Sequence, residues 1–360
     1  MTGITPGPPP AHDLPQTGQA GHVVQPGAAG PRPQGPRAGL RQRLAWASFK
    51  NIGAIYVWLL LIVIFSIWVP STFPVYATVK EILNEDAITG LVALALVLPL
   101  AAGVFDLSIG YNLGFCNVLC AWLLVSGGLS VPLTLLITVA AALLIGVLNA
   151  VVVVVAKIDS FIGTLATGFL LLAGITVVAG QTEIVGPKLS SGFFEGIANS
   201  GIAGIDYTVV YMIVVAAIIW IVLEFTVAGR WFYAAGFNLD AARLAGIPVK
   251  RLRFIVLLIS ALVAGGVAGI AVTSQIASGT STVGPPYLLN AFAAAFLGAT
   301  QLKQGRFNAW GTLIAVLMLG TGTVGLGLAG APDWASSVFT GVVLLAALAV
   351  TRAERSGSLG

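Results

Sequence analysis

Few residues in this chain are equipped for chemistry. Asp106 stands in the run AAGVFDLSIGYNLGF, residues 101–115, otherwise made mostly of Leu, Ala, Val and Gly. A lone carboxylate beside glycines has two uses. It can accept backbone N–H groups at a helix start, with Ser108 as the other candidate cap. It can instead line a pathway through an apolar body, where a charge costs about 2.5–3.5 kcal/mol on insertion scales and is kept for function. Cys116 and Cys120 are one helical turn apart and read as small buried side chains, not as a disulfide framework or metal site. His12 and His22 both fall in the first 45 residues, so no His-based catalysis or His-metal site can be built in the apolar part. No Gly-x-x-x-x-Gly-Lys-Ser/Thr loop is there to cradle ATP phosphates. No catalytic residue, metal or cofactor is expected.

The elements that must position Asp106 follow from composition. Of 360 residues, 58% are hydrophobic and 8% charged, with a mean hydropathy of +0.99. A soluble protein carries about 25% charged residues. Several apolar runs approach or exceed the roughly 18–20 residues that cross a bilayer as a helix. The fold class is all-α: a polytopic membrane protein with about ten transmembrane helices. Hydropathy places them near 54–69, 88–104, 111–126, 132–155, 161–180, 207–225, 254–276, 287–300, 309–326 and 336–350. Residues 1–45 hold nine of the 18 prolines and eight of the 44 glycines and read as a disordered cytoplasmic tail. A transmembrane domain over 46–351 and a short cytoplasmic tail over 352–360 complete the division.

Charge asymmetry tests the helix count. With the N-terminus in the cytoplasm, 15 of the 17 basic residues fall inside, and only Lys80 and Lys188 fall outside. Both termini are then cytoplasmic, and residues 181–206 face outward. The formal charge of +4 therefore marks orientation against membrane lipid and does not point to nucleic acid. A weak internal repeat accompanies this order: GVFDLSIG (103–110) and GATQLKQG (298–305) share the spacing Gly-x-x-x-Leu-x-x-Gly, each after a helix running inward.

Two further features bear on function. Asn112, Asn117, Asn149, Thr164, Thr167, Gln275, Ser278 and Asn290 are polar residues in or beside apolar helices. They can act as interhelical glue or as hydrogen-bonding walls for a neutral polyol. The inward loop GRWFYAAGFNLDAARLAGIPVKRLR (229–253) contains a short helix that Asn238 can cap, with Asp240 in its first turn. Leu239, Ala242 and Leu244 are its apolar residues and Arg243 its charge, while Gly246 suits the left-handed residue after the helix and Pro248 follows. Two turns do not persist alone in water, so a partner supplying the missing packing is expected.

At this loop the chain resembles a known family. GFNLDAARLAGIPVKRLRFIVLLISALVAGGVAGI is similar to the loop and helix of permease subunits of ribose/xylose/galactose-type sugar ABC importers, in the branched-chain-amino-acid permease superfamily. GVFDLSIG, NAVVVVVAKIDSFIGTLATGFLLLAGI (149–175) and AFAAAFLGATQLKQGRFNAWGTLIAVLML resemble further segments of that family in the same order. Asp159-Ser160 stands where the family has Pro before Phe161, and Asp is a poor substitute for that turn. The resemblance implies a translocation subunit of an ATP-driven importer for a monosaccharide or related polar solute. Its implied partners are cytoplasmic ABC ATPase subunits, an extracytoplasmic solute-binding protein, and a second permease subunit, identical or sister. The implied coupling segment is Asn238, Leu239, Asp240, Ala242, Arg243, Leu244 and Gly246. The pathway candidates are Asp106, Ser108, Asn112, Phe161, Thr164, Thr167, Gln275 and Asn290. An ion-gradient-driven carrier, expected to place carboxylates or His mid-helix as a relay, and a membrane enzyme, which lacks a nucleophile–base pair, are the competing readings.

Overall fold

The computed structural model describes residues 3, 49–180, 182–190, 192–303 and 305–357. The proposed N-terminal tail lies outside these residues except for Gly3. The helices and short strands run α1 (Phe49–Trp68), α2 (Tyr76–Ala101), α3 (Ile109–Val125), α4 (Val131–Ala150), α5 (Ser160–Ala179), β1 (Ile184–Val185), α6 (Gly192–Asn199), β2 (Gly201–Ile202), β3 (Ile205–Asp206), α7 (Tyr207–Phe225), α8 (Val227–Phe237), α9 (Leu239–Leu244), α10 (Val249–Ala261), α11 (Ile270–Ile276), β4 (Ser278–Gly279), α12 (Gly284–Ala299), α13 (Ala309–Leu328) and α14 (Asp333–Gly357). Wide π turns extend α4 through Val151–Val155 and join α10 to α11 through Leu262–Gly269, so the latter pair forms one span, Val249–Ile276. Among the described residues six helices or helix pairs are long and apolar enough to cross a membrane, α2, α4 with its π turns, α5, α7, α10–α11 and α13, and shorter apolar stretches lie in α1, α3 and α14. The all-α polytopic membrane fold stands.

The spans differ in what surrounds them. Every residue of α2 from Ala87 to Ala101 is buried, and 78% of its apolar window is covered, against 33% for α5 and for α7. A helix that is apolar all round is a central one. So α2 is the axis, packed by α7, α12 and α13, while α5 and α7 turn much of their surface outward. The main core joins Leu91, Leu94 and Leu98 of α2 to Met212 and Ile219 of α7, Val256 of α10, Ala294 of α12 and Val316 of α13.

Hydropathy starts α2 too late, at 88. Lys80, Glu81, Glu85 and Asp86 depress its first turns, yet the helix runs from Tyr76. Tertiary contacts hold that charged turn: Asn84 Nδ2 donates to Gly204 O at 3.2 Å, and Tyr76 Oη donates to Ala203 O at 3.2 Å.

Connections gather at two ends. At one end, β1 pairs antiparallel with β4 (Ile184↔Gly279, Val185↔Ser278), and β2 pairs with β3. Lys188 Nζ donates to Gly128 O at 2.9 Å, and Asn199 Nδ2 donates to Ser274 O at 3.1 Å. Residues 182–190 and 192–206, with α6 sunk onto Cys120, Leu124 and Ile270, form a lid over this end. At the other end, the turns 102–108 and 305–308 meet α8: Gly236 lies so close to Ala101 O that a Cβ there would sit 2.2 Å from it. Tyr233 Oη donates to Phe307 O at 2.8 Å. Lys303 pairs with Glu224 at the same end.

The spacing match between 103–110 and 298–305 is not a match of conformation. Gly103 and Gly305 take positive φ (68° and 73°), whereas their counterparts Gly298 and Gly110 are helical and serve close packing. A Cβ on Gly298 would lie 2.5 Å from Thr312 Cα, and one on Gly110 would lie 2.7 Å from Gly284 O. Identical residue spacing is used in opposite ways because the partners differ.

Candidate translocation pathway and coupling surface

Asp106 is fully buried. Its Oδ1 accepts the Ser108 N–H at 3.1 Å and the Ser108 hydroxyl at 2.7 Å; its Oδ2 accepts the Ser260 hydroxyl of α10 at 2.8 Å. Asn149 of α4 donates Nδ2 to Ser108 Oγ at 2.7 Å, leaving the hydroxyl proton free to point at the carboxylate. The neighbouring backbone is tied to α5: Leu107 N–H donates to Thr164 Oγ1 at 2.9 Å, and Phe105 N–H to Ser160 Oγ at 3.1 Å. Thus Asp106 takes the N–H of Ser108, the residue before α3, while Ser108 itself makes no side-chain cap. One buried carboxylate organises hydroxyls and an amide from α4, α10 and its own turn. Ser260 had no signal in the sequence beyond being the one hydroxyl in LLISALV.

Asn112 lies one turn further along α3. Its Nδ2 donates at 3.2 Å to Ala261 O, where α10 widens into π turns. A π turn displaces carbonyls from the regular ladder, and here a buried amide meets one. Gly265 makes the room, since a Cβ there would stand 2.4 Å from Asn112 Oδ1. The pathway candidates therefore separate. Asp106, Ser108, Asn112 and Thr164 share one buried neighbourhood. Phe161 is 49% exposed beside it, edge-on to Phe105 with centroids 6.3 Å apart. Thr167 is buried and bonds back to Gly163 O at 3.1 Å within α5. Gln275 lies under the lid, donating Nε2 to Asn84 O at 3.2 Å, and Asn290 is half-buried on α12. The eight do not form one continuous wall.

Asp159 is no poor substitute for a turn-forming Pro. Its Oδ1 accepts the N–H groups of Phe161 at 3.0 Å and Ile162 at 3.3 Å, capping α5.

The inward loop holds more helix than expected. Residues 227–237 form α8, capped by Thr226, whose hydroxyl oxygen accepts Gly229 N–H at 3.2 Å. Then Asn238 Oδ1 accepts the N–H groups of Asp240 and Ala241 at 3.1 and 3.0 Å, and α9 follows. Arg243 pairs with Asp240 at 3.1 Å on the exposed side. Gly246 has φ of 80°, as its placement after the helix requires. The apolar residues divide. Ala242 is buried among Ala235, Val249, Leu239 and Ile247, so the chain's own helices cover it and no partner is needed there. Leu244 is 91% exposed and Phe237 87% exposed. A cavity of ≈ 330 Å³, lined by Arg243, Ile247, Pro248, Val249, Lys250 and Arg251, opens beside α9. Behind it, Tyr233 is held to its neutral form: burial, then nearby Glu224, push its hydroxyl up to about 12 against the pull of Arg306. It remains a donor to Phe307 O throughout the physiological range.

Comparison with known proteins assigns this apolar, polytopic body to a family. The family described as branched-chain amino acid transport system / permease component matches residues 78–348. The chain belongs to this family. It is 32% identical over 304 residues to the ribose import permease protein of Bacillus subtilis, covering 84% of this chain and 93% of that one. It is 30% identical over 296 residues to the ribose import permease protein of Haemophilus influenzae, covering 81% and 89%. With the autoinducer 2 import system permease protein of Escherichia coli K12 it shares 29% over 259 residues, 71% of this chain and 78% of the relative. No solved structure matches the chain. The protein is a multi-pass inner-membrane translocation subunit of an ABC importer.

Proposed function

We propose that this permease admits a monosaccharide or related polar solute, driven by ATP hydrolysis on separate cytoplasmic ABC subunits. Relatives named for ribose import support the solute class. So does a set of buried Asn, Ser and Thr side chains, since hydroxyl-rich solutes need neutral donors and acceptors along their route. An extracytoplasmic solute-binding protein delivers at the lid end, and a second permease subunit, identical or sister, completes the pathway. Both termini are cytoplasmic: Lys157, Arg230, Arg243, Lys250, Arg251, Arg253, Lys303 and Arg306 all lie at or next to the connections of the α8–α9 end, against Lys80 and Lys188 at the lid end.

The observation that carries the reading is the exposed pair Phe237, at the end of α8, and Leu244, at the end of the Asn238-capped α9, beside a basic cavity. Large apolar side chains at the water-facing end of a membrane protein fit insertion into a groove of a partner. In this scheme Asn238, Leu239, Asp240, Arg243, Leu244 and Gly246 form the coupling segment, with Ala242 its internal support. Asp106, Ser108, Asn112 and Thr164 brace the inner end of the route; Phe161, Thr167, Gln275 and Asn290 are its remaining candidates. The test is Leu244→Asp in the reconstituted complex. It should leave the permease folded, yet reduce ATPase co-purification and solute-stimulated hydrolysis about tenfold or more, as loss of an apolar anchor does. Full stimulated hydrolysis in that variant would sink the docking assignment. Ala242→Trp, by contrast, should lower the stability of the permease alone by about 1–3 kcal/mol through overpacking.

A further inference from the structure

The helix pair α10–α11 does not end in an ordinary loop. Ala277 takes a left-handed backbone (φ 51°), and residues 278–283 then run against α3 before α12 begins at Gly284. A left-handed non-glycine residue persists only where its surroundings over-determine it. Those surroundings centre on Asn117, fully buried at the midpoint of α3. Its Nδ2 donates to Ser278 O at 2.9 Å and to Thr273 Oγ1 at 3.0 Å, and its Oδ1 accepts Thr280 N–H at 3.0 Å. One amide therefore closes the backbone groups on both sides of Gly279, groups that irregular chain inside a membrane body cannot leave unpaired. Gly279 itself slides past α3 so closely that a Cβ would lie 2.5 Å from Ala121 Cβ. On its other edge the same stretch is β4, paired to the lid strand β1.

The segment 277–283 thus has two attachments of different kinds. Among the described residues its hydrogen bonds toward the body come from the Asn117 side chain, beside the packing of Ala277 and Val283, and toward the lid from a two-residue strand pair. Both are small sets of hydrogen bonds, the mark of an element that opens locally without unfolding its neighbours. We infer that Asn117 is the positioning residue of the lid-end closure: it latches residues 277–283 across the pathway, and release of this latch opens the pathway to the lid side. The inference rests on the permease reading and goes beyond it, because nothing in the coupling surface bears on it.

Site-specific labelling tests it on the full chain in membrane vesicles, with Cys116 and Cys120 replaced by Ala and a membrane-impermeant maleimide as probe. With Thr280→Cys as reporter, adding Asn117→Ala should raise labelling from the lid side about tenfold or more, the response to losing the two hydrogen bonds to Ser278 O and Thr280 N–H that oppose local opening. A cysteine in place of the exposed Phe105, labelled from the opposite side, should change by less than about twofold, since additivity holds between distant sites. Gly279→Ala should act in the same direction, because its methyl pushes the segment from α3 while keeping every polar group; it carries the test if Asn117→Ala does not accumulate. Equal labelling of position 280 in parent and both variants would overturn the latch. So would a rise of equal size at position 105, which marks general loosening. The measurement uses neither ATP nor solute, so a failure of the coupling assignment leaves it intact, and the reverse holds too.

Discussion

The entry to α3 and its midpoint use buried polar residues in opposite ways. At the α8–α9 end, Asp106 is an acceptor only, and hydroxyls from its own turn and from α10 converge on it. At mid-helix, Asn117 donates and accepts, and two of its three side-chain bonds go to main chain of one segment. A carboxylate without a counter-charge in an apolar body depends on every donor, so its surroundings are fixed together. An amide satisfies a backbone stretch with neutral bonds that can break and reform at modest cost. The difference teaches where the fold is braced and where it can give.

Breaking the brace should cost most. Asp106→Ala strands the Ser108 and Ser260 hydroxyls and the Ser108 N–H, and should lower stability by about 3 kcal/mol or more, each stranded buried group costing ~1–3 kcal/mol. Thermal unfolding of the purified permease in detergent checks it; a loss no greater than that of Asn117→Ala would erase the contrast. The latter should cost less, about 2–3 kcal/mol in the same assay, because it strands two groups, Ser278 O and the Thr280 N–H, while Thr273 Oγ1 keeps its bond to Gly269 O at 2.7 Å. The smallest effect sharpens the comparison at the braced end. Tyr233→Phe removes the bond to Phe307 O and should cost about 1 kcal/mol, leaving lid-side labelling of position 280 unchanged. A change in that labelling would mean that the two ends are not independent.

Much of the fold was legible in the residues. Run length and hydropathy gave the all-α polytopic class, and the charged residues of α2 hid only its first three turns, which long-range bonds to Ala203 and Gly204 hold in place. The Asn238 cap and the left-handed Gly246 could be read locally, because capping needs only neighbours two or three residues away. α8 was missed: its apolar share is modest, and its helix is held by Gly236 against Ala101 and by Tyr233 against Phe307, far away in the chain.

What the sequence by itself determined was therefore the class of molecule, an all-α polytopic membrane protein, and the capped loop helix; the resemblance carried by its motifs added the family. All of these depend on apolar run length, charge placement and contacts within a few residues. Only the tertiary structure decided that Asp106 is braced and buried, that Ala242 is shielded by its own chain, that two matched glycine spacings fold differently, and that Asn117 holds a broken segment. Each of those is set by a partner far along the chain, such as Ser260 for Asp106 or Ser278 for Asn117. A side chain's burial and bonding are properties of what folds against it, and local pattern carries no record of that.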